Sequence, residues 1–250
     1  MKTIVCIFAH PDDEAFGPGG TIAKLAQKNK VYIICATKGE AGKDSRKEKR
    51  GKLYDHRAKE LLASAKILGV KKVFFLGFKD GTLSNNLYHA VAGKIEKILK
   101  RLKPEMILTH EPGGGSGHLD HIAISMISSY VVEQMPFIKT ILQHCIPDFR
   151  ARRMGKYFIY RPPGYSLKDI DLIVDVEDVW EMKLKAMQQH QSQKHDVERI
   201  LKFSRQFPKK EYFLVKQKGK GVGKIGGVLS FFNRLGLLTQ QEGTRLGKRN

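Results

Sequence analysis

Short apolar runs alternate with helical patterns along the chain, and that alternation limits it to very few architectures. Residues 3–9 form a strand-like run, 21–28 an amphipathic helix and 31–37 a second buried strand. Apolar Leu53, Ala58, Leu61, Leu62, Ala65 and Leu68 then recur near the 3.6 period, which predicts a helix ending at Gly69. A third strand over 70–76, a helix over 88–102 and a fourth strand over 106–109 complete a βαβαβαβ series. Such a series predicts an α/β, Rossmann-like doubly wound sheet, mostly parallel, with helices on both faces. The C-terminal portion is less regular. Strands are expected over 137–146, 156–161, 172–176 and 212–216, and a helix over 178–193.

The topology has a geometric consequence. In the common order 3-2-1-4-5, strands 1 and 4 are neighbours, and ligands bind at the carboxyl ends of the strands beside this reversal. Strand 1 runs into His10-Pro11-Asp12-Asp13-Glu14, and strand 4 leads to Gly117-His118-Leu119-Asp120-His121. The two clusters are therefore expected to meet in one crevice.

Their chemistry suits a divalent metal, which neutralises carboxylates and takes neutral nitrogen as a ligand. His118 and His121, at i and i+3 on an opening helical turn, can face one side. The loop Pro112-Gly113-Gly114-Gly115-Ser116-Gly117 lets backbone come close to a ligand. Asp12 and Asp13 are adjacent and cannot project identically. One can bind the metal while the other faces the water that the metal polarises. Two His and one Asp leave zinc open positions for water and a substrate carbonyl, a further His can stabilise an oxyanion, and Asp120 is placed to orient it. Gly17-Pro18-Gly19-Gly20 is no dinucleotide-binding turn. It does not follow the strand directly, and Asp12, Asp13 and Glu14 would repel a pyrophosphate.

These residues resemble the LmbE-like (PIG-L) zinc-dependent deacetylases, which remove the acetyl group from N-acetylglucosaminyl conjugates. Ala9 to Glu14 followed by Gly19-Gly20, with Gly117 to His121 downstream, carries the resemblance. Lys38-Gly39-Glu40, Arg57, Glu60, Lys185 and the His190-Gln191-Ser192-Gln193 run extend it to about residue 193. The resemblance implies a hydrolase of linear amide C–N bonds, with a single deacetylase-like domain over 1–217. It implies His10, Asp13 and His121 as ligands to Zn2+, although such a set also accepts Fe2+ or another divalent metal. Asp12 becomes the general base. His118, oriented by Asp120, stabilises the tetrahedral intermediate or acts as acid to the departing amine. Arg57 lies near the pocket as a substrate-binding residue. Leu119 stands where family members often have Pro, which alters the local turn and removes no ligand.

Other residues are expected in plainer roles. His190 hydrogen-bonds across a helix interface or serves the site, and Glu14 caps a helix or orients a ligand. His56, His89, His110, His144 and His195 have surface or core roles, and Trp180 belongs to the core.

The formal charge of +20 on 250 residues gathers in 43–59 and from Lys209 onward. It favours an anionic partner: a charged amino-sugar conjugate, a membrane surface or nucleic acid. Nucleic acid is disfavoured, because no reader motif accompanies the charge. Residues 218–250 read as a basic Gly/Lys linker and an amphipathic extension. That extension packs on the domain, pairs two subunits as a homo-oligomer, or makes peripheral contact with anionic lipid. No apolar run of about eighteen residues or secretory signal is seen. Cys6, Cys35 and Cys145 are few and scattered, which fits a reducing cytoplasm.

Overall fold

The structure is a computed structural model describing residues 1–46, 50–155, 158–217, 232, 233, 235 and 237. The first half runs β1 (Thr3–Phe8), α1 (Asp13–Phe16), α2 (Gly19–Lys28), β2 (Lys30–Cys35), α3 (Leu53–Ile67), β3 (Lys72–Phe75), α4 (Tyr88–Leu102) and β4 (Met106–His110). The chain continues through a kinked turn α5 (Gly114–Gly117), α6 (Leu119–Gln134), β5 (Thr140–Cys145) and α7 (Asp148–Ala151). It closes with β6 (Leu172–Asp175), α8 (Trp180–Met187), α9 (Lys194–Ser204) and β7 (Lys210–Gln217).

The seven strands lie in the order β3-β2-β1-β4-β5-β7-β6. The first five are parallel, with Ile4 beside both Val31 and Met106, whereas β7 pairs antiparallel with β5 and β6. This is the doubly wound arrangement expected from the alternation, with the winding reversed between β1 and β4. Side chains alternate across a strand. Ile4, Cys6 and Phe8 therefore enter one core, and Val5 and Ile7 enter another. Helices α2, α3 and α8 cover the first face, and α4 and α6 cover the second.

Three expectations are corrected. Residues 158–161 bend without joining the sheet, while 156–157 lie outside the described residues. The helix expected over 178–193 is interrupted, with 3-10 turns at Glu177–Val179 and Gln191–Gln193 flanking α8. Helix α9 was not expected, although Val197, Ile200 and Leu201 carry its spacing. Most of 218–250, including the Gly/Lys linker, lies outside the described residues. Phe232, Leu235 and Leu237 are described, and all three are buried in the first core. Among the described residues, no helix is long and apolar enough to cross a membrane.

Candidate active site

Loops at the carboxyl ends of β1 and β4 bring His10, Asp13 and His121 together. His10 Nδ1 lies 3.1 Å from His121 Nε2, and His121 Nε2 lies 3.1 Å from Asp13 Oδ1. Their outer atoms are already engaged. Asp13 Oδ2 accepts from the N–H groups of Ala9 (3.1 Å) and His10 (2.9 Å) and lies 3.2 Å from His110 Nε2. His121 Nδ1 lies 3.0 Å from the Gly114 carbonyl oxygen, and His10 Nε2 lies 2.8 Å from Asp80 Oδ1 and 3.2 Å from Asp120 Oδ2. These outer partners require N–H groups, so the inner atoms of both rings present lone pairs. With both rings neutral, two imidazole nitrogens and a carboxylate oxygen thus converge as acceptors.

Only a cation reconciles three such donors, and the electrostatics agree. Burial alone would lower the His10 pKa, but hydrogen bonds to Asp120 and Asp80, reinforced by Asp13, raise it to about 10. Burial would raise the Asp13 carboxyl, yet His121 and His110 hold it well below its ordinary value. The cluster recruits positive charge, as a proton or a metal. His10, Asp13 and His121 offer ligand atoms within 4.8 Å of one another, so the donor set fits a divalent ion. His10, His118 and Asp120 form an overlapping group within the same limit.

Asp12 has a left-handed backbone, φ 112° and ψ −25°, unusual for a residue with a side chain. Glu14 holds it there: Glu14 Oε2 accepts from the Asp12 N–H at 3.0 Å. The other Glu14 oxygen accepts from Ser64 Oγ (2.5 Å) and lies 2.8 Å from His190 Nε2. Both His190 and Glu14 are fully buried. Glu14 therefore braces the site, and His190 makes its expected hydrogen bond between elements. Burial would lower the His190 pKa, but the Glu14 charge raises it. Burial pushes Asp12 up to about 6, against the lowering effect of Arg57.

Arg57 sits between the loops that carry the site. Its Nη1 donates to Gly39 O and its Nη2 to Pro11 O, both at 2.6 Å, and Nη2 also reaches Asp12 Oδ2 at 2.9 Å. Only 4% exposed, it is committed to holding the loops and the Asp12 carboxylate. Gly39 is required beside it, since its φ is 69° and the guanidinium fills the space a Cβ would need.

Asp120 departs from its expected partner. Its carboxylate accepts from the N–H groups of Gly81 and Leu83 and faces His10, not His118. The Asp120 backbone N–H instead donates to His118 Nδ1 at 3.1 Å. That bond places the ring hydrogen of neutral His118 on Nε2. Burial, reinforced by the nearby His10 charge, pushes His118 down to about 4. Leu119 occupies the first helical position of α6 and is 75% exposed.

His110 and Asp80 were not among the expected site residues. His110 stacks on His121 with ring centroids 4.1 Å apart, and Asp80 backs His10. Both sit at the carboxyl edge, at the end of β4 and after β3, where the fold argument alone could have flagged them. Among the other histidines taken as bystanders, His144 abuts Gly17 behind the site, and His195 meets Ser45. Trp180 packs against the first core as expected.

A sheet of this order with a His/Asp cluster at the winding reversal defines a doubly wound α/β protein, and sequence comparison narrows it. The profile of PIG-L, described as GlcNAc-PI de-N-acetylase, matches residues 5–132, and the chain belongs to this family. It is 31% identical over 196 residues to a probable N-acetyl-alpha-D-glucosaminyl L-malate deacetylase 2 of Bacillus cereus, covering 77% of this chain and 84% of that one. It is also 31% identical over 198 residues to the diacetylchitobiose deacetylase of Thermococcus kodakarensis, covering 77% and 70%. The solved N,N'-diacetylchitobiose deacetylase of Pyrococcus horikoshii has a TM-score of 0.66 at 23% identity, covering 91% of this chain and 88% of that one.

Proposed function

We propose that the chain is a zinc-dependent N-deacetylase that releases acetate from an N-acetylglucosamine-containing conjugate. The observation that carries this reading is the convergence of His10 Nδ1, His121 Nε2 and Asp13 Oδ1, each with its outer atom already engaged. The two relatives' names differ in what the amino sugar is joined to, malate or a second sugar, so the N-acetyl amino sugar is the shared element.

When bound by His10, Asp13 and His121, the metal would supply an acidified water and a Lewis acid for the amide carbonyl. Asp12, raised to about 6, is ionised at neutral pH and accepts the proton of the water as it adds to the carbonyl carbon. Arg57 and Glu14 keep that carboxylate in place. The His118 Nε2–H donates to the oxygen that gains charge, a neutral form of oxyanion stabilisation. The C–N bond then breaks, and the proton held by Asp12 passes to the amine. With its hydrogen on Nε2, neutral His118 suits the first of its two expected roles better than that of acid.

The three cysteines are buried free thiols, which supports the cytoplasm as the compartment. The test is acetate release from a panel including N-acetylglucosaminyl malate and diacetylchitobiose, alongside metal analysis. His10→Ala and His121→Ala should lose bound zinc, and Asp12→Ala should keep zinc and lose turnover by about a hundredfold or more. Stoichiometric zinc with no acetate from any member of the panel would reject the deacetylase reading.

A further inference from the structure

A cleft of about 460 Å³ opens at the carboxyl edge beyond β5, among α7, α8, α9 and the start of β7. Gly17 and His144 form the wall nearest the metal cluster. The volume falls in the range of small-molecule pockets. Its walls combine two properties that rarely coincide without a ligand.

One property is apolar: Met187, Ile200, Phe203 and Phe207 line the interior. The other is uncompensated positive charge. The Arg150 guanidinium lies over two rings, 5.3 Å from the Phe207 centroid and 4.9 Å from that of Tyr212. Its Nη2 donates to the Pro208 carbonyl at 2.6 Å, and its buried Nε has no hydrogen-bond partner among the described residues. Stacking and that single bond fix the guanidinium in advance, which lowers the entropic cost of gripping an anion. Arg153 also lies over the Phe207 ring, 5.6 Å from its centroid, and Lys202 lines the cleft from α9. Neither has an ion-pair partner among the described residues.

The oxygens of the acid in the lining are already engaged elsewhere. Glu211 Oε1 lies 2.6 Å from Lys183 Nζ and accepts from the Gly20 N–H, while Oε2 accepts from the Thr21 N–H. Arg150, Arg153 and Lys202 therefore repel one another around apolar walls unless an anion joins them.

We infer that this cleft is a second ligand site, built for an amphiphilic anion: an aryl or medium-length acyl body bearing a carboxylate or phosphate head. The apolar walls take the body, and the three cations take the head. The site is separate from the metal cluster and does not depend on the deacetylase reading.

The test titrates the full-length, zinc-loaded protein with the fluorescent probe 8-anilinonaphthalene-1-sulfonate at low salt. Saturable binding at one site is expected. The double variant R153E/K202E changes two exposed positions, so its melting temperature should stay near that of wild type while its affinity for the probe falls at least about tenfold. Decanoate or decyl phosphate should displace the probe, and the more effective of the two identifies the head group. Decanol and inorganic phosphate at the same concentrations should not. His121→Ala should bind the probe like wild type, which separates this result from any failure of the catalytic proposal. Wild-type affinity in the charge-reversed variant, displacement by decanol as strong as by decanoate, displacement by inorganic phosphate, or no saturable binding would each overturn the inference.

Discussion

Asp80 and Asp120 back the same nitrogen of His10, and such outer partners fix a ligand's tautomer and raise its basicity. Asp120→Asn should weaken zinc binding about 10- to 100-fold by chelator competition, and an unchanged affinity would mean that Asp80 alone suffices. The Lys183–Glu211 pair shows a different use of charge. Both residues are buried, and Glu211 also caps the start of α2 through Gly20 and Thr21. Lys183→Met would strand the carboxylate, at a cost of about 3–5 kcal/mol in urea unfolding. Burial would raise the Glu211 carboxyl, but Lys183 lowers it below its ordinary value of 4.5. Its stabilisation is therefore present above the unfolded value and lost as pH falls through the lower folded value. The stability gap between wild type and Glu211→Gln should accordingly narrow below about pH 4.5.

At the scale of elements, α6 invites a direct test. Leu119 sits at the first helical position, exposed, where Pro is favoured because its N–H is not needed. His118 precedes it at φ −67° and ψ 125°, the extended conformation that a following Pro imposes. Leu119→Pro should therefore raise stability by about 0.4–1 kcal/mol without disturbing His118 or His121. A loss of stability would show that the first turn needs freedom that Pro removes.

The same scale shows what the sequence made legible. Buried parallel strands read clearly because they are continuous apolar runs between helical periods, and β1 to β4 and α4 lie where that pattern puts them. The His10, Asp13 and His121 cluster was legible because its members share two short motifs. Asp80 and His110 were not, since each comes alone, from the loop after β3 and the end of β4, and only tertiary packing turns it toward His10 or Asp13. Asp120 was placed near the right atoms, but its carboxylate meets His10 while its backbone N–H meets His118. Spacing gives proximity, whereas hydrogen-bond direction depends on loop conformations such as the left-handed Asp12.

Across the whole molecule, the first core reaches beyond residue 217. Phe232 is fully buried there, with Leu235 and Leu237 close to it in burial. Phe232→Ala should cost about 3–5 kcal/mol by chemical denaturation, and a change below about 0.5 kcal/mol would show that the segment contributes little to the domain. The pairing of β1 with β4 carries a consequence for biogenesis. His10 and His121 are 111 positions apart, yet only neighbouring strands unite them, and the Glu14 brace also requires His190. A growing polypeptide leaving the ribosome cannot unite His10 and His121 until β4 has zipped onto β1. Glu14 cannot complete its brace of the Asp12 backbone until the chain around residue 190 has emerged, so the site is completed late in maturation.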